Sequence, residues 1–208
     1  MTTDQVIQLA VAIGTIAVAI LAIWGERIKL LIGLGPKLVL TLHDPQGELI
    51  NVSFEEGKTT LARYYHLRVS NKHRWTQATN TRIVIAGLTR PAADGSLVSQ
   101  PLSGPLQLMW RFSNFHLLYS IVGPDDICDL GHLIRGDKFR LTPFVFPANF
   151  TGVLEANQRM RVEVKAVADN AESQSLCIDI SWDGIWSDDT LEMAKHLVVK
   201  EMPCARTA

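Results

Sequence analysis

Between Asp4 and Glu26 the chain carries no charged side chain, and residues 6–24 read VIQLAVAIGTIAVAILAIW. The uncharged run is 21 residues long. At ~1.5 Å rise per residue it spans about 30 Å as a helix, the hydrocarbon thickness of a bilayer. Backbone amides cross lipid only when they bond to one another, so the run is expected to be a membrane-spanning helix. A secretory signal would open on basic residues and carry a shorter apolar core; here the only charge before the run is acidic, Asp4. A buried soluble helix would show a polar stripe, and beyond Gln5 and Gln8 there is none. A helix lying flat on the membrane needs a charged face, also missing. Trp24 suits the lipid–water interface.

Residues 26–35 read as a juxtamembrane extension of this helix, and Gly33, Gly35 and Pro36 end it. The expected division is therefore an anchor at 1–35 and a domain at 36–208. Arg27, Lys29 and Lys37 follow the run, against Glu26 alone. Lys and Arg stay on the cytoplasmic side, so a single-pass topology with the N-terminus outside and the domain at the inner face is expected. Cys128, Cys177 and Cys204 are odd in number and widely spaced. They read as free thiols in a reducing compartment.

The domain is long enough to bury a real core. A net charge of -1 argues against a nucleic-acid partner. The mean hydropathy of +0.12 is high for a soluble protein and owes much to the anchor.

From Lys37 onward the hydrophobic period becomes two. Leu38, Leu40 and Leu42 alternate with polar or outward positions. So do Tyr65, Leu67 and Val69; Met160, Val162, Val164 and Ala166; and Leu176, Ile178, Ile180 and Trp182. Such alternation means strands with one buried and one wet face, the antiparallel pattern. The spans expected as strands are 37–43, 63–69, 82–88, 159–167 and 175–182, with weaker ones at 48–54, 106–110, 117–122, 127–134 and 139–141. Turn residues separate them, Asp44-Pro45-Gln46-Gly47 and Ala168-Asp169-Asn170 among them. Only residues 187–196 offer a helix, capped by Ser187 or Asp188, before a last strand at 196–202, with strand throughout as the alternative. Many short strands and little helix predict an all-β, two-sheet antiparallel sandwich behind one N-terminal transmembrane helix.

Leu67, Val69 and Asn71, then after a short loop Ala78, Asn80 and either Ile83 or Val84, resemble the strand–loop–strand core of bacterial immunoglobulin-like domains. The pair at 159–170 and 175–182 resembles their closing strands. The resemblance implies an immunoglobulin-like β-sandwich and transfers no active site.

No GxSxG, HExxH, GxxxxGK[ST] or GxGxxG motif is present, so no catalytic residues, cofactor or metal are assigned, and a non-enzymatic role is expected. Asp125, Asp126, Cys128, Asp129 and His132 carry ligand chemistry. On a regular strand Cys128 and His132 would share a face ~13 Å apart, too far for one ion. His73, Arg74 and Trp75 form a basic, aromatic loop suited to a protein partner, and Trp110 and Arg111 pose the same choice. The acid and indole run at 182–189 reads as a hairpin turning at Asp183-Gly184. Two functions follow. One is a membrane-tethered binding module whose partners are lipid and a protein. The other is an oligomeric effector whose spans perturb the membrane, packed through the small residues Ala10, Gly14 and Ala17.

Overall fold

In the computed structural model the described residues are 2–31, 35–53, 57, 59–73, 75–102, 104–111, 119–121 and 126–204, with side chains described except at 26–31 and 119–121. The chain divides into two compact units, Met1–Gly35 and Pro36–Ala208.

The first unit is one helix, α1 (Thr3–Leu31). Its segment Thr3–Gly25 is long and apolar enough to cross a membrane, and none of it is buried within the protein. A signal sequence passes the same test of length and composition. Thr15 returns its hydroxyl to the Val11 carbonyl at 2.8 Å, so the one polar group at mid-run is satisfied within the helix.

The second unit is all-β and antiparallel. One sheet contains β1 (Leu38–Leu42), β2 (Glu48–Ser53), β3 (Thr59–Asn71), β8 (Asp126–Ile134), β9 (Phe139–Leu141) and β10 (Val153–Leu154). Its order is β1-β3-β8-β9-β10, with β2 also on β3. The other sheet contains β4 (Ala78–Pro91), β5 (Leu97–Ser99), β6 (Leu106–Gln107), β7 (Tyr119–Ile121), β11 (Gln158–Ala168), β12 (Ala171–Glu172), β13 (Leu176–Trp182) and β14 (Leu197–Met202). Its order is β14-β13-β11-β4-β5, with β6 and β7 on β4 and β12 on β11. Both sheets feed one apolar core, in which Leu67, Leu130 and Leu133 of the first meet the layer of Ile85, Val162 and Ile180 of the second. Each such side chain, fully removed from water, contributes about 1.5–3 kcal/mol relative to exposure.

Every strand expected from periodicity is present among the described residues, with bounds shifted by a few residues, and residues 54, 117, 118 and 122 lie outside the described residues. The exception is residues 106–110, where only Leu106–Gln107 form a ladder. This segment leaves β4 and crosses to the first sheet, touching it by isolated bridges at Leu108–Pro143 and Trp110–Cys128. Its backbone bonds divide between the two sheets, so no single ladder extends through it. Strands β5, β10 and β12 were not expected, because two or three residues are too few to show a period.

The helix expected near 187–196 is α2 (Thr190–His196), and its cap is Asp189 rather than Ser187 or Asp188. The Asp189 carboxylate accepts the Glu192 amide at 2.8 Å, and the Ser187 hydroxyl oxygen accepts the Asp189 amide. This helix replaces the hairpin expected at Asp183-Gly184. The chain turns there, with the Asp183 side chain accepting the Ile185 amide, and then enters α2 before β14 pairs back on β13.

The thiol expectation is also corrected. Cys177 and Cys204 form a disulfide with Cα atoms 5.2 Å apart, and Cys128 alone is free, buried in the core. The reason lies in register: β13 and β14 pair Cys177 with Met202, which returns Cys204 to the neighbourhood of Cys177. Nothing in a separation of 27 residues announces that return.

Candidate functional site

The site arises where β3 loses regular neighbours on both edges at the same height. On one edge, β1 pairs with residues 67–71 of β3 and β2 with residues 59–64, so the two act as a single strand interrupted at 43–47. Pro45 lacks an N–H and cannot continue the ladder. The Asp44 side chain accepts the Gln46 amide at 2.9 Å, and Gly47 adopts φ +71°. A Cβ at Gly47 would lie 2.9 Å from both Arg63 Cγ and Tyr65 Cζ, so only glycine fits. On the other edge, the pairing of β3 with β8 shifts between Tyr65 and His66: Tyr65 faces Gly131 and His66 faces Asp129. The extra residue on β8 is a β-bulge.

Arg63 holds the interruption in place from below. It is fully buried, and its guanidinium donates to the carbonyls of Gln46 (3.3 Å), Gly47 (3.2 Å) and Asp188 (3.3 Å) and to the Thr190 hydroxyl (3.2 Å). One side chain thus ties the break in the first sheet to the start of α2.

On the outer face His66 is only 3% exposed. Its Nδ1 lies 2.9 Å from Asp129 Oδ1 and its Nε2 3.4 Å from Glu48 Oε2. Arg111 Nη2 in turn donates to both oxygens of Glu48, at 2.8 and 2.6 Å. Each ring nitrogen therefore faces a carboxylate. The Tyr64 ring stacks on His132 across the strands at 5.1 Å and lies 6.2 Å from His66. Burial, then the Asp129 charge, raises the Tyr64 phenol above its usual range. Burial, then Arg140, lowers His132; burial, then Arg68 and His66, lowers His43. Around these groups lies a cleft of about 470 Å³ lined by Glu48, Ile50, Tyr64, His66, Arg111 and Asp129. Its size falls within the range of small-ligand sites.

The bulge also corrects the geometry read from a regular β8. Cys128 lies in the core and its thiol donates to the Met109 carbonyl at 3.1 Å, while His132 stacks on outer-face Tyr64. An inserted residue reverses the alternation, so the two do not share a face. Burial raises the Cys128 thiol well above its usual range, which leaves it inert as a nucleophile. Among the described residues no three His, Cys, Asp or Glu side chains are grouped to hold a metal ion; Asp125 lies outside them.

Of the residues singled out from sequence, Arg111 joins the cleft. Its neighbour Trp110 is 3% exposed and belongs to the core. His73 and Trp75 stack on each other at 4.9 Å in the loop after β3, with Trp75 69% exposed, and Arg74 lies outside the described residues. Ala10, Gly14 and Ala17 lie on α1 with exposed side chains, and a Cβ on Gly14 would meet nothing within 4 Å. Sequence reasoning missed Glu48, Tyr64 and His66, and it grouped Asp129 with Cys128 and His132 rather than with His66. They occupy outward positions on alternating strands and read as an ordinary wet face; only the pairing of the 43–47 interruption with the bulge marks them. No family model, characterised protein or solved structure matches the chain.

Proposed function

We propose that this protein is a membrane-tethered binding module: α1 spans the bilayer, an immunoglobulin-like sandwich follows it, and the cleft over His66 receives a polar group of a protein partner. The observation that carries the reading is the clamp of a buried imidazole between Asp129 and Glu48, with Glu48 held by Arg111. Charged groups taken from water are costly unless paired, and here the pairing opens onto a cleft rather than closing into the core. Both ring nitrogens are engaged by carboxylates, so His66 orients acceptors for a ligand rather than serving as a base toward a third group. The test is native mass spectrometry of the full chain purified in mild detergent, wild type against Arg111→Ala. A stoichiometric partner present with wild type and lost with Arg111→Ala supports the cleft. A partner retained undiminished by the variant refutes it.

Arg27, Lys29 and Lys37 support a domain at the inner face of a bacterial-type membrane. The Cys177–Cys204 bond favours the opposite side, because disulfides persist in oxidising compartments. A membrane-impermeant amine label applied to sealed cells decides between them. Labelling of the domain's lysines from outside reverses the inner-face reading, and protection upholds it.

A further inference from the structure

The loop between β3 and β4 is built around one buried amide. Asn71 is 3% exposed. Its Oδ1 accepts the backbone amides of His73 (3.1 Å) and Lys37 (3.0 Å), and its Nδ2 donates to the Thr76 carbonyl at 2.7 Å. The Lys72 amide donates to the Lys37 carbonyl at 2.9 Å, and the Thr76 amide and hydroxyl both donate to the His73 carbonyl. From the neighbouring turn, Asn170 donates to the Gln77 carbonyl at 2.9 Å. These bonds order the described backbone on either side of Arg74, and the side chain displayed there is an indole. Trp75 is stacked on His73 with 15° between the ring planes and is the most exposed aromatic of the domain's described residues. Lys37 and Lys72, joined to each other through the backbone, are exposed as well.

The same bonds fix which end of the domain this is. Lys37 is the second residue of the domain unit, so the chain enters the domain from the anchor beside this loop. The indole is therefore displayed at the end of the domain from which the anchor departs. We infer that Trp75, with Lys72 and Lys37, is a second membrane contact, seating the foot of the domain in the headgroup region of the bilayer that α1 crosses. This inference rests on the membrane-tether reading. A tryptophan places its apolar ring among the upper acyl carbons and its N–H among the headgroups. Lysines next to it meet lipid phosphates, strengthening the contact on anionic lipid. Because the Asn71 bonds order the loop beforehand, little freedom is lost on contact.

The experiment uses the full chain with Trp24→Phe, which removes the indole of the span, reconstituted in phosphatidylcholine–phosphatidylglycerol vesicles with and without lipid brominated high on the acyl chain. Of the remaining indoles, Trp110 and Trp182 are buried and Trp186 packs against the core. Brominated lipid is expected to quench this protein, and the further change Trp75→Phe to remove most of that quenching. Lys72→Glu is expected to reduce quenching on anionic vesicles and to leave it unchanged on pure phosphatidylcholine. Quenching that is absent, or equal with and without Trp75, overturns the inference. So does emission from Trp75 that shifts with protein concentration in detergent but ignores brominated lipid, which would give the loop to a second copy. Flotation separates the two readings. Protein that fails to float with vesicles refutes the tether and this contact together, whereas protein that floats with Trp75 unquenched refutes the contact alone.

Discussion

Removing the Cys177–Cys204 bond offers the most direct quantitative test of the fold. The bond closes a loop of 27 residues that contains most of β13, all of α2 and all of β14. In the chain-entropy treatment, a loop of this size restrains the unfolded state by about 3.5 kcal/mol at 25 °C. β14 is an edge strand, but its ladder to β13 runs from Leu197–Trp182 to Met202–Cys177, and Leu197 and Val199 are buried. Cys204→Ser should therefore lower stability without abolishing the fold. For a domain of this size the loss amounts to roughly 10 °C in Tm. The assay is thermal unfolding of the full chain in detergent, followed by tryptophan emission with and without a phosphine reductant. Wild type should drop by this amount on reduction, Cys204→Ser should start low, and the variant should ignore the reductant. A wild type indifferent to reductant, with all three cysteines alkylated after denaturation without reduction, would refute the reasoning and restore the free-thiol reading.

Four further outcomes are expected. His132 has a lowered pKa in the folded state, so the unfolded chain takes up a proton that the folded one refuses. Stability is then full above about pH 6.5 and falls with acidification towards the folded value, by at most about 1.4 kcal/mol per pH unit; His132→Gln should flatten that limb in urea titrations. Gly47→Ala should cost about 2–4 kcal/mol by the same measurement, since it combines a left-handed φ with overlap on Arg63 and Tyr65, and a loss under 0.5 kcal/mol would contradict the turn geometry. Deleting residues 1–35 should leave a soluble domain whose circular dichroism is β-rich, because the two units are separately compact; a helical spectrum would contradict it. If the spans assemble through a close-packed small-residue face, Gly14→Leu should dissociate the oligomer in crosslinking, whereas a purely tethering span should be indifferent to it.

The division into an apolar helix and a β domain was legible from the chain alone, because both signals are periodic and local. An uncharged run of 21 residues can satisfy its backbone in lipid only as a helix. The alternation at Met160, Val162, Val164 and Ala166 survives as the buried face of β11. The turn at residues 44–47 was readable from its Asp, Pro and Gly for the same local reason. What that turn does was not readable. It breaks one neighbour of β3 at the height where a bulge breaks the other, and the coincidence depends on register between segments more than 60 residues apart. His66 and Glu48 each look like one polar residue on a wet face, and Asp129 and Arg111 stand out only in other groupings, until the sheet sets the four side by side. The disulfide is of the same kind, since two cysteines meet only because β14 folds back on β13. Periodicity reports which way a side chain points along its own strand. Which side chains meet across strands is decided by pairing and bulges, and those follow from the packing of the whole domain.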